Sequence, residues 1–328
     1  MAATNTQRTL VVVNPATGAV SLRRLRQLLT AAARRAGVSF DYVETEYADH
    51  AIEIVRERRD DYDVVIAVGG DGTVSEVVAG AVGSDLTIGI VPTGSTNMVA
   101  KDLGIPRMLS QAIRVALTSP NTIVMDVARA NEHVFIHMGG AGFDAAIMRE
   151  TPRRWKRIFR WLAYIGPGIA QLRRDPFNVR LNLDGTRYQY TARMVLLAIG
   201  GSIIHPRFVV GDGIDRTDGV LDVVVFDPPD FPAIVKTFTW MALRRPERAV
   251  WHHHFRCLRA VIESDEAVPY ELDGSYRGEL PIEVEMLPQG VRIRVPANPT
   301  PGEIEAHLTA RLDTAKAEHA ITSGRITD

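Results

Sequence analysis

The chain has 328 residues, 46% hydrophobic and 23% charged, a composition that suits a folded globular protein of two domains. Its 38 basic and 39 acidic residues nearly cancel, which argues against a nucleic-acid partner and against a wholly basic membrane-binding surface. A single cysteine, Cys257, excludes an internal disulfide and fits a reducing, cytoplasmic setting.

Met1 to Arg8 is polar, and the apolar run Leu10-Val11-Val12-Val13 stops at Asn14-Pro15, too short for a signal-peptide core. No stretch approaches the ~18 apolar residues that span a bilayer, so a lipid substrate would have to be reached from the membrane surface. Leu10 to Val13 reads as a buried strand. Ser21 is placed to cap a helix in which Leu22, Leu25, Leu28, Leu29, Ala32 and Ala36 follow helical spacing, with Gly37 as its stop. Residues 38–43 read as a second strand, Asp49 as the cap of a second helix through Arg58, residues 63–68 as a third, apolar strand and residues 86–91 as a fourth. Strands alternating with helices imply crossover connections and a parallel sheet covered on both faces. The expected first domain, residues 1–128, is α/β.

Beyond about residue 120 the pattern changes. Residues 121–127, 134–138, 177–183, 188–199, 220–226, 258–264, 282–286 and 291–295 are strand-like, and the turns Asp184-Gly185, Asp218-Gly219 and Asp273-Gly274 separate several of them. They predict a mainly antiparallel β-sandwich over residues 129–296. In the C-terminal segment 297–320, a helix over 302–318 places Ile304, Leu308, Leu312 and Ala315 on one face and is expected to pack back on the first domain.

The strongest chemical signal is Gly69-Gly70-Asp71-Gly72-Thr73, after a buried strand and before a helix. Ligands of open parallel sheets bind at the carboxyl ends of the strands. Glycines let the backbone approach phosphate oxygens, and a helix N-terminus offers unpaired N–H donors and a partial positive charge. A carboxylate at Asp71 would be repelled by phosphates unless it holds a metal or takes a proton. Taken alone, the string also suits a tight strand-to-helix turn. Pro92-Thr93-Gly94-Ser95-Thr96-Asn97 repeats the arrangement and in isolation reads as an ordinary capped helix start. Two such loops on adjacent strands point to a phosphate-binding cleft.

In this order the motifs resemble the diacylglycerol kinase catalytic-domain family. Asn14-Pro15-Ala16-Thr17-Gly18 is similar to its Asn-Pro-x-Ser/Thr-Gly opening loop, and Val68 to Val74 to its Gly-Gly-Asp-Gly-Thr nucleotide loop. Pro92 to Pro106 resembles its Pro-x-Gly-Thr-x-Asn-x-x-Ala segment. Asp126 to Asp144 resembles its entry into the second domain, and Thr217 to Asp222 its Asp-Asp-Gly-x-Leu-Asp turn. The resemblance implies an ATP- and Mg2+-dependent lipid kinase whose first expected reaction is diacylglycerol to phosphatidic acid. It implies that Asn14, Thr45, Gly69, Gly70, Asp71, Gly72, Thr73, Gly94, Ser95, Thr96 and Asn97 line the ATP site. Asp71 and Asp126 would then sit near the transferred phosphate and its magnesium. Asp215, Asp218 and the carbonyl of Val220 would hold a structural magnesium; without that ion the same residues read as a hairpin turn.

One departure matters. Where the family carries Asp-Gly-Glu, whose glutamate is taken as the base for the lipid hydroxyl, this chain has Asp273-Gly274-Ser275. Losing a general base costs ~10²–10⁴ in rate, although phosphoryl transfer rests mainly on positioning and charge stabilisation. Glu271 and Asp126 are the candidate substitute bases. The alternatives are a nucleotide- and lipid-binding pseudokinase and an NAD kinase, which shares the Gly-Gly-Asp-Gly loop but not the Pro92 to Pro106 segment.

From Arg149 to Asp175, a run of arginines and Lys156 faces only Glu150 and Asp175, with Trp155, Ile158, Phe159, Leu162 and Ile169 at helical spacing. This suits a helix on an anionic membrane surface and equally a helix packed on its own domain. His252-His253-His254 looks like a metal cluster, but alternate side chains of a strand cannot converge on one ion. The expected location is cytoplasmic and peripheral to the membrane, with a homodimer left open.

Overall fold

A computed structural model describes residues 7–17, 21–142, 176–200, 211, 213–243, 245 and 248–297. The expected helices of 149–175 and 302–318, together with Gly18 and Asp144, lie outside the described residues.

Four parallel strands open the chain: β1 (Thr9–Val13), β2 (Phe40–Glu44), β3 (Val64–Gly69) and β4 (Thr87–Pro92), in the order β2-β1-β3-β4. Every residue of β1 and β3 is buried, as strands covered on both faces require. Each aliphatic side chain so buried contributes about 1.5–3 kcal/mol, so these two strands anchor the first domain. The helices are α1 (Leu22–Ala36), α2 (His50–Arg58), α3 (Asp71–Ala81), α4 (Met98–Asp102) and α5 (Leu109–Thr118). Ser21 caps α1 by accepting the Arg24 N–H, and Gly37 ends it at φ 66°, where a side chain would be strained. Asp49 precedes α2 as expected but does not cap it. It adopts φ 65°, and its carboxylate turns to Arg277 at 3.4 Å.

The second domain is a sandwich of antiparallel strands. One layer holds β5 (Thr122–Ala130), β6 (His133–Phe135), β8 (Phe177–Leu183), β9 (Thr186–Ala192), β13 (Arg259–Glu263) and β16 (Ile282–Arg294). The other holds β7 (Met138–Gly142), β10 (Met194–Ala198), β11 (Leu221–Phe226), β12 (His252–Cys257), β14 (Pro269–Leu272) and β15 (Ser275–Glu279), in the order β12-β11-β10-β7-β14-β15. Phe135, Val179, Leu181, Leu197, Val223 and Ile262 are among the residues that fill the space between the layers.

β16 departs from the expected pair of short strands. It is one strand of 13 residues that pairs antiparallel with β13 along its first part and with β5 on both sides of a register shift, while Arg292 and Ile293 also run parallel to Thr87 and Ile88 of β4. The α/β sheet and one layer of the sandwich are therefore continuous through β16. A further helix, α6 (Phe231–Ala242), starts where Asp230 accepts the Ala233 N–H at 2.9 Å. It covers the outer face of the second layer, with Met241 packed among Met194, Leu196, Val224 and Phe226.

Candidate active site

The parallel register sets the carboxyl ends of β1 to β4 level: Val13 lies opposite Glu44 and Val68, and Gly69 opposite Pro92. Asn14, Thr45, Gly70 and Thr93 are the first residues beyond that edge, so the segments singled out in the sequence meet on one rim. Backbone bonds lock it. Asn14 N–H donates to Val68 O at 3.0 Å, Thr45 N–H to Val13 O at 2.8 Å and Thr93 N–H to Gly69 O at 2.8 Å. The Asn14 side chain then spans the rim, its Nδ2 donating to Thr73 Oγ1 at 3.1 Å.

Close packing explains two of the glycines. A Cβ on Gly69 would collide with the Thr73 side chain, and one on Gly94 would lie 2.5 Å from the Gly70 Cα. The two glycine-rich loops thus touch backbone to backbone. Asn97, at φ 51°, closes the second loop: its Nδ2 donates to Gly94 O at 2.7 Å and its Oδ1 accepts the Gly94 N–H at 3.0 Å. Thr45 and Thr73 are buried, whereas Gly72, Ser95 and Thr96 are exposed at the lip.

Asp71 is the first residue of α3, and its Oδ1 accepts the Val99 N–H at the start of α4 at 3.4 Å. Burial pushes its carboxyl above the ordinary carboxylate range, aided by the charge of Asp273, while His137 and the Met98 and Val99 N–H groups pull it down. A desolvated carboxyl in this state favours a proton or a nearby cation.

The second domain reaches this rim through Asp273, at φ 48° in the turn between β14 and β15. Its carboxylate accepts the Ser75 hydroxyl from α3 and the N–H groups of Ile136 at 3.0 Å, His137 at 3.0 Å and Met138 at 3.1 Å. Ser275 follows two residues later, half-buried. It shares a face of β15 with Arg277, whose guanidinium reaches Asp49 of the first domain. Glu271 is buried, and its Oε2 accepts the Gly274 N–H at 2.6 Å.

Asp126 is 1% exposed and is engaged elsewhere. Its Oδ1 accepts the Gln289 N–H and its Oδ2 the Gly219 N–H, both at 2.7 Å, and its own N–H donates to Arg216 O at 2.9 Å. These bonds tie it to the 215–220 turn of the second domain rather than to the rim. In that turn Asp215 Oδ1 accepts the Thr217 N–H at 3.0 Å and the Thr217 hydroxyl at 2.8 Å. Asp218 accepts the Val220 N–H at 3.0 Å through Oδ1 and the Arg256 guanidinium through Oδ2. Burial pushes the Asp218 carboxyl to about 6, against the pull of the Val220 N–H and Arg256. Among the described residues no three His, Cys, Asp or Glu side chains gather as an ion site. The turn carries a protein cation, which a magnesium on Asp215, Asp218 and the Val220 carbonyl would have to displace.

Sequence reasoning missed the ion group that connects these parts. Asp102, at the end of α4, has its Oδ2 3.3 Å from Arg216 Nη2 and 3.7 Å from His137 Nδ1. Through Arg216 it reaches the 215–220 turn, and through His137 the residues that Asp273 clamps. The available signal was slight: Asp102 follows Lys101 at the end of the short apolar run Met98-Val99-Ala100. On β12, His253 lies 3.1 Å from Asp227 and meets the Tyr190 ring at a tilt of 34° with centroids 4.7 Å apart, while His254 lies 2.6 Å from Asp222. The neighbouring histidines are engaged separately, as strand alternation requires. Cys257 is buried, and burial pushes its thiol to about 12, which leaves it unreactive.

Residues 8–130 match the family described as diacylglycerol kinase catalytic domain, and residues 138–295 the YegS C-terminal NAD kinase beta sandwich-like domain. The chain belongs to the diacylglycerol kinase catalytic-domain family. The diacylglycerol kinase of Bacillus subtilis (strain 168) is 27% identical over 297 residues, which cover 88% of this chain and 97% of the relative. That of Staphylococcus carnosus (strain TM300) is 25% identical over 294 residues, covering 88% and 95%. A solved diacylglycerol kinase structure from Bacillus anthracis str. Sterne shares the fold, with a TM-score of 0.73 at 22% identity over 90% of this chain and 98% of that one. Members of the diacylglycerol kinase family are kinase-type transferases. Among the described residues no helix is long and apolar enough to cross a membrane.

Proposed function

We propose that the chain is an ATP-dependent lipid kinase that transfers the γ-phosphate to a lipid hydroxyl, with diacylglycerol the first acceptor and phosphatidic acid the product. The supporting observation is the backbone contact between the Gly69–Thr73 and Gly94–Asn97 loops at level strand ends, with the desolvated Asp71 beside it. In this reading Asn14, Thr45 and the two loops receive the nucleotide, whose phosphates meet the free N–H groups at the start of α3. The nucleotide enters as its magnesium complex, a substrate, and Asp71 is the carboxylate placed to meet that cation. The lipid oxygen attacks the terminal phosphorus, the bond from that phosphorus to the ADP oxygen breaks, and the hydroxyl proton leaves to a base or to water. Positioning and charge stabilisation supply most of the rate in such a transfer. A structural magnesium at Asp215, Asp218 and Val220 belongs to this reading only if Arg256 yields Asp218.

The base is the weak point. Serine at position 275 cannot accept a proton near neutral pH. Of the candidate substitutes, Glu271 has one oxygen on the Gly274 N–H, and both oxygens of Asp126 are held by backbone donors. Ser275 therefore favours a second reading, a catalytically weak pseudokinase that binds nucleotide and lipid. Ser275→Glu is expected to raise lipid phosphorylation, by up to ~10⁴-fold, with thermal unfolding measured alongside to confirm an intact fold. A gain identifies a kinase lacking one part. No gain over an active wild type assigns the rate to positioning. Inactivity of both folded proteins on every lipid supports the pseudokinase.

A further inference from the structure

The outer face of α6 brings together exposed aliphatic, indole and cationic side chains. Val235 and Leu243 are 50% and 58% exposed, and Val250 in the loop behind the helix is 70% exposed. Ala233, Thr237 and Met241 are buried against the second layer, so residues 235, 239 and 243, on the opposite side of the helix, form an outward stripe. Two cations stand over indole rings at its edges: Lys236 Nζ lies 5.9 Å from the Trp251 ring centre, and the Arg248 guanidinium 5.4 Å from that of Trp240. These contacts draw residues 248–251, and Val250 with them, onto the helix.

Among the described residues the cations along this face are Lys236, Arg245 and Arg248, all exposed, while the exposed Asp230 sits at the start of the helix and accepts the Ala233 N–H. Exposed aliphatics next to tryptophans and long cationic side chains match the layers of a bilayer surface. Aliphatics enter the acyl boundary, indoles sit at headgroup depth, and lysine and arginine reach the phosphates along their apolar stems. A second copy of the chain would bring like charges face to face, whereas acidic headgroups neutralise them.

We propose that the outer face of α6, with the Val250-Trp251 loop, docks on an anionic lipid bilayer. The surface lies on the far side of the second layer from the sandwich core, and the inference rests on its own residues, not on the kinase reading. Docking would hold the protein where lipid acceptors reside.

The test is flotation of the full chain with vesicles of phosphatidylcholine alone or phosphatidylcholine mixed with phosphatidylglycerol, a readout that needs no turnover. The expected result is binding to the mixed vesicles that weakens with salt, and a blue shift of tryptophan emission. Lys236→Glu with Arg248→Glu should weaken that binding by roughly 10-fold or more, and Val235→Ser with Val250→Ser should weaken it at every salt concentration. All four positions are exposed, so unchanged thermal unfolding is expected and is checked. Absence of wild-type binding to mixed vesicles overturns the proposal. So does binding that the α6 variants leave intact but that neutralising Arg153, Arg154, Lys156 and Arg157 removes. Self-association lost in the α6 variants, with no vesicle binding, would also overturn it and assign the face to a second copy.

Discussion

Asp71→Asn is expected to lower lipid phosphorylation by on the order of 10³-fold or more while the protein stays folded. Asparagine keeps the shape of the side chain and can still accept the Val99 N–H, so the helix contact survives. What disappears is the negative charge, the one property a magnesium-bound nucleotide would use. The stability consequence has a defined sign. The folded-state carboxyl is raised above its ordinary value chiefly by burial, so its ionised form costs stability at pH values above that raised position. Removing the charge should therefore leave the free protein equally or more stable at neutral pH, with the difference vanishing in acid as the wild-type carboxyl protonates. Thermal unfolding across pH, calorimetric titration with magnesium and ATP, and a lipid phosphorylation assay check the three parts. Wild-type phosphorylation by the variant would remove Asp71 from the mechanism.

The second large effect is on stability. Asp273→Ala deletes a carboxylate that accepts from Ser75 and from three consecutive backbone N–H groups, Ile136 to Met138. Each buried donor left without a partner costs about 1–3 kcal/mol. Water entering the gap will satisfy some of them, so a loss on the order of 3–5 kcal/mol is expected, a large share of the roughly 5–15 kcal/mol that holds a typical domain folded. Alanine is also strained at the φ of 48° found there, a conformation that asparagine tolerates. Asp273→Asn should therefore lose much less. Denaturant unfolding of both variants checks this, and an alanine variant as stable as wild type would show that the clamp is not needed to hold α3 against the second domain.

The parallel half of the fold was legible because its signals are local. The run Val64 to Val68 is apolar at every position, Gly37 stops a helix, and the glycine loops mark strand ends. The rim at the carboxyl ends of the parallel strands was legible for the same reason, since each of its segments begins where an apolar run stops. β16 was misread as two strands because Pro288-Gln289-Gly290 looks like a turn. The structure absorbs it as a register shift between Leu287 and Val291, with Gly290 so close to Val127 that a Cβ would lie 2.7 Å from its side chain. α6 escaped because Phe231 to Ala242 is apolar nearly all round, which blurs the helical period even though Asp230 and Pro232 mark its start. The Asp102, His137 and Arg216 group and the Asp273 clamp join residues far apart in the chain, and no local pattern spells such contacts. Asp126 shows the complement of this: its segment was recognised, but only its partners Gly219 and Gln289 reveal what its carboxylate does.

The central claim is tested most directly by incubating the protein with γ-labelled ATP, magnesium and a panel of diacylglycerol, ceramide, sphingosine and phosphatidylglycerol. The account predicts label in a lipid phosphate, with diacylglycerol the best acceptor, dependent on magnesium and lost in Asp71→Asn. Label that stays in ATP across the whole panel, while calorimetry shows the nucleotide bound, would contradict it.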